Sequence, residues 1–305
     1  MLLRLEVITN MQDMFGFVNN NKSDIQIYNS TGSSNLQGLQ MWSKPRGVSV
    51  VIMVCVSGGG GGGGGFTRAA ASAGGGGGGG ACSGITRFTV PAMFLPDVLY
   101  VQAGTGGLGG IAGSAGTAGL NSFVLTSKTG VLPNIVCYSG VNAPGGGGAG
   151  TGAAAGAAGT VPTIAVTQPT NTWGQWSSTV GLVGVAGGAQ TGAVGTSVTA
   201  WAALPMSPGA GGAGCTTTDF AGGGQTATAL LDTGSQGYYP TGAGLIVRGG
   251  TAGGVGVNGG GGIEKITPFF NSGGSGGGSN NSAQAGHGGS GGIGCGGGGG
   301  GRWRR

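Results

Sequence analysis

The chain has 305 residues, of which 82 are Gly, with 6% charged side chains and a formal net charge of +5 at pH 7. One or two domains fit that length, but glycine at this density excludes an ordinary helical or α/β core, since each interior Gly costs a helix roughly 1 kcal/mol. The charged fraction is far below the ~25% of an average soluble protein, which points to assembly as the route to solubility, and the positive balance is too thin to argue for nucleic acid.

Residues 1–41 contain only Gly16, Gly32 and Gly38 and read as an attachment or cap segment with short strands such as Ile25–Tyr28. The opening MLLRLEVITNMQDMF places charge inside any apolar stretch and lacks a secretory pattern. At Trp42–Gly47 the style changes, and Val48–Val56 (VSVVIMVCV) follows as a continuous β-branched run suited to a fully buried strand. It is too short for a bilayer, which needs about 20 residues, so no membrane span is expected. The strand feeds Gly58–Gly65, and a second run follows at Gly74–Gly80. Ile85–Val90 and Val98–Val101 read as short strands, and Leu120–Thr126 and Ile135–Tyr138 continue the alternation further on.

Between them lies Gly104–Gly119, with glycine at 104, 107, 110, 113, 116 and 119. Three is the period of a polyproline-II helix, not of an α-helix or strand, and at ~3.1 Å per residue the run predicts a rod of roughly 45–50 Å. Such a helix has no internal hydrogen bonds, so its N–H and C=O groups are free to bond sideways, and a glycine edge admits a second backbone. A collagen triple helix relies on proline, which this run lacks. Gly250–Gly262 and Gly288–Gly300 repeat the phase, as do shorter runs at Gly181–Gly187, Gly209–Gly212 and Gly147–Gly159. Glycine-rich linkers and disordered chains are the bland alternative, but they rarely interleave apolar segments this densely. The expected fold is mainly β and irregular, with short strands alternating with polyglycine-II helices packed in a lattice, and few or no α-helices.

Four segments are expected: an attachment cap at 1–41, a strand and polyglycine-II region at 42–160, a variable aromatic-containing loop region at 161–248, and closing glycine-rich helices at 249–305, broken by Ile263–Phe270. The succession Trp42–Gly47 (W-x-K-P-x-G), an apolar strand, two polyglycine runs, Val101–Gly110 (V-x-A-G-T-G-G-x-G-G), Asn121–Leu125 (NSFVL) and the glycine-rich pattern around Cys295 resembles the glycine-rich domain of bacteriophage tail-fibre and fibre-tip virion proteins. That resemblance implies a non-enzymatic virion protein whose glycine lattice displays host-recognition loops. On this basis the protein is expected in the virion, assembled in the host cytoplasm, as a homotrimer attached to other virion proteins by its N-terminal segment. Its distal partner would be a host cell-surface protein or glycan. A capsid decoration, cement or head-fibre protein is the alternative, and an ice-binding protein is a further one.

Chemistry is sparse. Leu230–Ser235 matches an aspartic-protease turn around Asp232, but that mechanism needs two carboxylates sharing a proton and the chain has one such turn. The G-x-G-x-x-G at Gly104–Gly109 and the G-x-S-x-G at Gly273–Gly277 and Gly288–Gly292 are expected by chance in this composition. His287, the sole histidine, is read as an outward residue on a glycine rod. Cys55, Cys82, Cys137, Cys215 and Cys295 are odd in number with no C-x-x-C pair, which argues against a disulfide framework or zinc site and for a reducing cytoplasm. No catalytic, cofactor-binding or metal residue is assigned. The candidate recognition surface is aromatic: Asn171, Trp173, Gln175 and Trp176 as a loop-borne patch, with Trp201, Tyr238 and Tyr239. Packing of the tryptophans inside the subdomain or at a trimer interface is the competing explanation.

Overall fold

A computed structural model describes residues 3–8, 24–31, 38–68, 72–128, 134–140, 143–163, 174–198, 206–218, 221–226, 257–265, 270–280, 284–301 and 303–304. These residues form mainly strands in antiparallel sheets, with no α-helix among them and a short 3-10 turn at Ala92–Phe94.

The first sheet is built on β4 (Val50–Val56). One edge of β4 pairs with β6 (Ile85–Pro91), in the register Val51↔Val90, Met53↔Phe88 and Cys55↔Thr86. The other edge pairs with β1 (Leu3–Ile8), which in turn pairs with β2 (Asp24–Tyr28). Across β6 lies β10 (Gln175–Thr179), giving the order β10-β6-β4-β1-β2. A second antiparallel sheet has the order β3 (Gln40–Ser43), β7 (Val98–Gln102), β8 (Phe123–Leu125), β9 (Ile135–Tyr138).

Successive strand residues point to opposite faces. Val51, Met53 and Cys55 of β4 therefore join Phe88 and Val90 of β6 in a core closed by Trp42, Leu99, Val101, Val124 and Cys137 of the second sheet. On its other face, Val54 and Val56 meet Met206, Ile293 and Cys295. Burial on both faces is why this strand reads as an unbroken apolar run. β2, β4, β6, β7 and β9 stand where the sequence places them, within a residue or two. The expected Leu120–Thr126 strand contracts to β8, because Leu120 belongs to the glycine segment before it.

Two small ribbons complete the pairing. β5 (Thr67–Arg68) runs parallel to β13 (Trp303–Arg304), and β11 (Glu264–Lys265) pairs antiparallel with β12 (Phe270–Asn271).

Candidate functional site

Several strands continue at one end into extended glycine segments, here called threads. β4 runs into 58–65, and the 74–81 thread leads back into β6. Likewise β7 runs into 104–111, the 114–120 thread leads into β8, and β10 runs into 181–188. Three of these junctions carry a buried serine, Ser57, Ser83 and Ser122. Ser57 N–H donates to Ser83 Oγ at 2.8 Å, and Ser83 Oγ–H donates to Gly84 O at 2.6 Å. Gly104 N–H donates to Ser122 Oγ at 2.7 Å, and Ser122 N–H donates to Ser139 Oγ at 3.0 Å. Ser57 Oγ and Ser139 Oγ are also hydrogen-bonded to each other. Short hydroxyls satisfy the backbone groups left over where the two-fold pattern of a sheet gives way to a three-fold one.

That three-fold pattern is complete around 74–81. The N–H groups of Gly75, Gly78 and Ala81 donate to Thr151, Gly148 and Gly145, those of Gly76, Gly79 and Cys82 to Gly188, Val185 and Leu182, and those of Gly77 and Gly80 to Gly300 and Gly297. The carbonyls rotate in the same way. Gly75, Gly78 and Ala81 accept from Phe66, Gly63 and Gly60, while Gly76 and Gly79 accept from Gly156 and Gly159. Gly74, Gly77 and Gly80 accept from Cys215, Gly212 and Gly209. All these bonds measure between 2.8 and 3.0 Å, and they tie one thread to six neighbours drawn from distant parts of the sequence. Five of these neighbours run antiparallel to 74–81 and one, 156–159, runs parallel.

Glycine is required by close approach. A Cβ on Gly78 would fall 1.9 Å from Ala157 O, one on Gly79 1.9 Å from Gly209 O, and one on Gly80 2.1 Å from Gly60 O. With a bond of about 1.5 Å from Cα, each of these carbonyls lies within roughly 3.5 Å of a glycine Cα, the distance of a Cα–H···O contact. A methyl group cannot enter without moving the backbone.

The expected single rod over Gly104–Gly119 is corrected. The chain reverses between Ile111 and Ser114, where Ser114 N–H donates to Ile111 O at 2.8 Å and Gly113 takes φ +75°. The 104–111 and 114–120 threads then pair antiparallel through Thr117 to Leu108 and Leu120 to Thr105. The 288–300 run is likewise folded at Gly294, φ +70°. Glycine carries the triplet phase straight through both turns.

Among the proposed recognition residues, Gln175 is exposed on β10. Trp176 beside it is half-buried, with its ring 5.6 Å from Phe88 and 5.5 Å from Tyr138. It sits on a strand rather than a loop, because Trp176 pairs with Phe88 across β6. Asn171, Trp173, Trp201, Tyr238 and Tyr239 lie outside the described residues, as does Asp232. His287 stands exposed on the 284–292 thread, its N–H donating to Asn258 Oδ1 at 2.8 Å.

All five cysteines are buried and unbridged. Burial raises the Cys82 thiol to about 12 and pushes those of Cys137 and Cys295 well above the ordinary value. Cys55 Sγ–H donates to Cys137 Sγ at 3.2 Å, joining the two sheets across 82 positions of sequence, a proximity no spacing motif announces. Among the described residues, no three His, Cys, Asp or Glu side chains converge to hold a metal ion, and no helix is long and apolar enough to cross a membrane. No protein-family model matches the chain, and no curated protein aligns with it significantly.

Proposed function

We propose that the threads are polyglycine-II helices packed in a lattice, and that the chain is a non-enzymatic structural protein of a bacteriophage virion, a tail-fibre or fibre-tip component. The observation that carries the lattice is the bonding of Gly75–Ala81: donors turn through three neighbours and acceptors through three others, each repeating every third residue. A thread held from six sides is a stiff element, since backbone bonds in several directions oppose the large entropy that glycine regains on release.

The virion role follows from what such a body is suited to do. It has a scaffold with very few charges, and exposed apolar side chains stand along its edge threads: Leu108, Ile111, Val180, Val183 and Val194. These residues give a homotrimer or a neighbouring virion protein something to bury. The N-terminal strands β1 and β2 extend one sheet at the strand end of the lattice, which suits attachment there. The part of the 161–248 interval outside its 182–188 and 209–215 threads, with Gln175 and Trp176 in it, then supplies the surface offered to a host protein or glycan, while those two threads stay bonded to 74–82 inside the lattice. The five buried thiols fit assembly in a reducing host cytoplasm.

Antibody against the full chain, imaged on intact phage particles that carry it, tests this role. Gold at the tail tip is the expected result. Label spread over the capsid would replace this role with the decoration alternative, and particles without label would remove the virion role altogether.

A further inference from the structure

The 58–65 thread has the same three-fold pattern as 74–81, with one direction left open. Its donors reach Leu120, Thr117 and Ser114 from Gly58, Gly61 and Gly64, and Ala81 and Gly78 from Gly60 and Gly63. Its carbonyls accept from the 104–113, 144–151 and 295–301 segments. The remaining donor set, Gly59, Gly62 and Gly65, has no acceptor among the described residues, and Gly59 and Gly62 are the two that lie beside the open acceptors.

The acceptors beside it are open in the same way. A Cβ on Gly58, Gly60, Gly61, Gly63 or Gly64 would land on the carbonyl of Thr105, Gly145, Leu108, Gly148 or Ile111, and each of these carbonyls also accepts an N–H from a third thread. A Cβ on Gly59 or Gly62 would land 1.9 Å from the carbonyl of Cys295 or Gly298, and these two receive no such N–H among the described residues. Two donors and two acceptors, each pair three residues apart, therefore line one vacant position between the 58–65, 104–111, 284–292 and 295–301 threads.

That position is a groove. Two adjoining cavities of about 490 and 910 Å³ share Gly62, Gly109, Gly288 and Gly298 in their walls. At the 65 end the wall includes Thr67, whose buried Oγ1 has no hydrogen-bond partner among the described residues. Glycine placement in the wall is a separate sign. Most glycines in the lattice are pressed against a carbonyl, but a Cβ on Gly106 or Gly109 would meet only Gly59 O or Gly62 O at 3.7 or 3.8 Å. Nothing among the described residues demands glycine at these two groove positions; a thread lying in the groove would. Side chains stand instead at Thr105, Leu108 and Ile111, giving the wall a Gly-Gly-x sequence.

We infer that this groove binds one extended glycine-rich segment of another polypeptide, with a Gly-Gly-x repeat, as an added thread. The segment's carbonyls accept from Gly59 and Gly62, its N–H groups donate to Cys295 and Gly298, and glycine is needed wherever it faces the wall. The inference rests on the lattice geometry and not on the virion role.

The test uses the full chain and two capped nonapeptides, (Gly-Gly-Ser)3 and (Ala-Ala-Ser)3, with binding measured by calorimetry and amide exchange followed by NMR. Free protein is expected to exchange Gly59 and Gly62 quickly, and (Gly-Gly-Ser)3 to slow both at least tenfold while (Ala-Ala-Ser)3 does nothing. Gly109→Leu, whose side chain enters open space, is expected to weaken binding more than tenfold at an unchanged melting temperature. If Gly109→Leu fails to fold, the exchange change at Gly59 and Gly62 in the unaltered chain still decides the matter. Protection of these amides before peptide is added, equal binding of both peptides, no binding at millimolar peptide, or displacement of the peptide by a second copy of the chain would each overturn the inference. Slow exchange over Gly75–Cys82 without a peptide effect removes the groove and leaves the lattice standing; fast exchange there removes the lattice itself.

Discussion

Gly78 and Ala157 approach so closely that a Cβ on Gly78 would stand 1.9 Å from the Ala157 carbonyl oxygen. The neighbour is main chain held by its own lateral bonds, so it cannot step aside as a flexible side chain would. Gly78→Ala is therefore expected to destabilise by about 3 kcal/mol or more, while Gly109→Ala, which opens on space, stays within about 0.5 kcal/mol of the parent. Denaturant melts of the two variants check the contrast. Equal effects would mean that contact between threads is not what selects glycine.

Ser139 joins three buried groups at the boundary between sheets and threads. Its Oγ receives Ser122 N–H at 3.0 Å, donates to Ser122 O at 3.2 Å and bonds Ser57 Oγ. Ser139→Ala removes the buried oxygen that accepts Ser122 N–H and the hydroxyl that donates to Ser122 O, and a loss of about 2 kcal/mol is expected. Ser139→Thr keeps the hydroxyl and is expected to recover part of that loss in the same melts.

Trp176 packs against Phe88 and Tyr138, so Trp176→Ala is expected to cost about 2 kcal/mol and to alter the near-ultraviolet dichroism. Gln175→Ala, one residue away on the exposed face of β10, is expected to leave stability within about 0.5 kcal/mol. Comparing cell attachment of particles carrying each variant separates recognition from packing: loss with Gln175→Ala at full stability assigns β10 to the contact surface.

The buried thiols set an alkaline limit. Well below pH 9 the thiols of Cys82, Cys137 and Cys295 are neutral in both the folded and unfolded chain. As pH rises from 9.0 towards 12, the unfolded chain ionises Cys82 while the folded chain holds it protonated, so the folded state binds more protons and stability falls. The slope is about 1.4 kcal/mol per pH unit for such a group, and Cys137 and Cys295 act in the same direction. Native protein at pH 8 is expected to leave a thiol reagent unreacted, and denatured protein to release all five thiols.

The strands were legible because their residues are β-branched and apolar in runs bounded by glycine, as in Val50–Val56. The glycine segments were legible as separate units because glycine recurs in them at every third residue, a spacing that neither an α-helix nor a strand has. Their turns were not: Gly113 and Gly294 keep the phase while reversing the chain, since glycine serves both close approach and positive φ. β10 was missed because QWSST offers a single large apolar side chain to mark a buried face. The junction serines were missed for another reason: between a strand and a glycine run, an isolated Ser looks like linker until its partners from three other segments converge on it. The open position beside Gly59 and Gly62 depends on which threads lie side by side, which spacing alone does not encode.

Amide hydrogen exchange across Gly75–Cys82 in the intact chain tests the central claim most directly. Lateral bonding in three directions predicts unbroken protection, with every successive N–H from Gly75 to Cys82 exchanging slowly. Exchange at random-coil rates, or slow exchange only at alternate residues as in an edge strand, would contradict it.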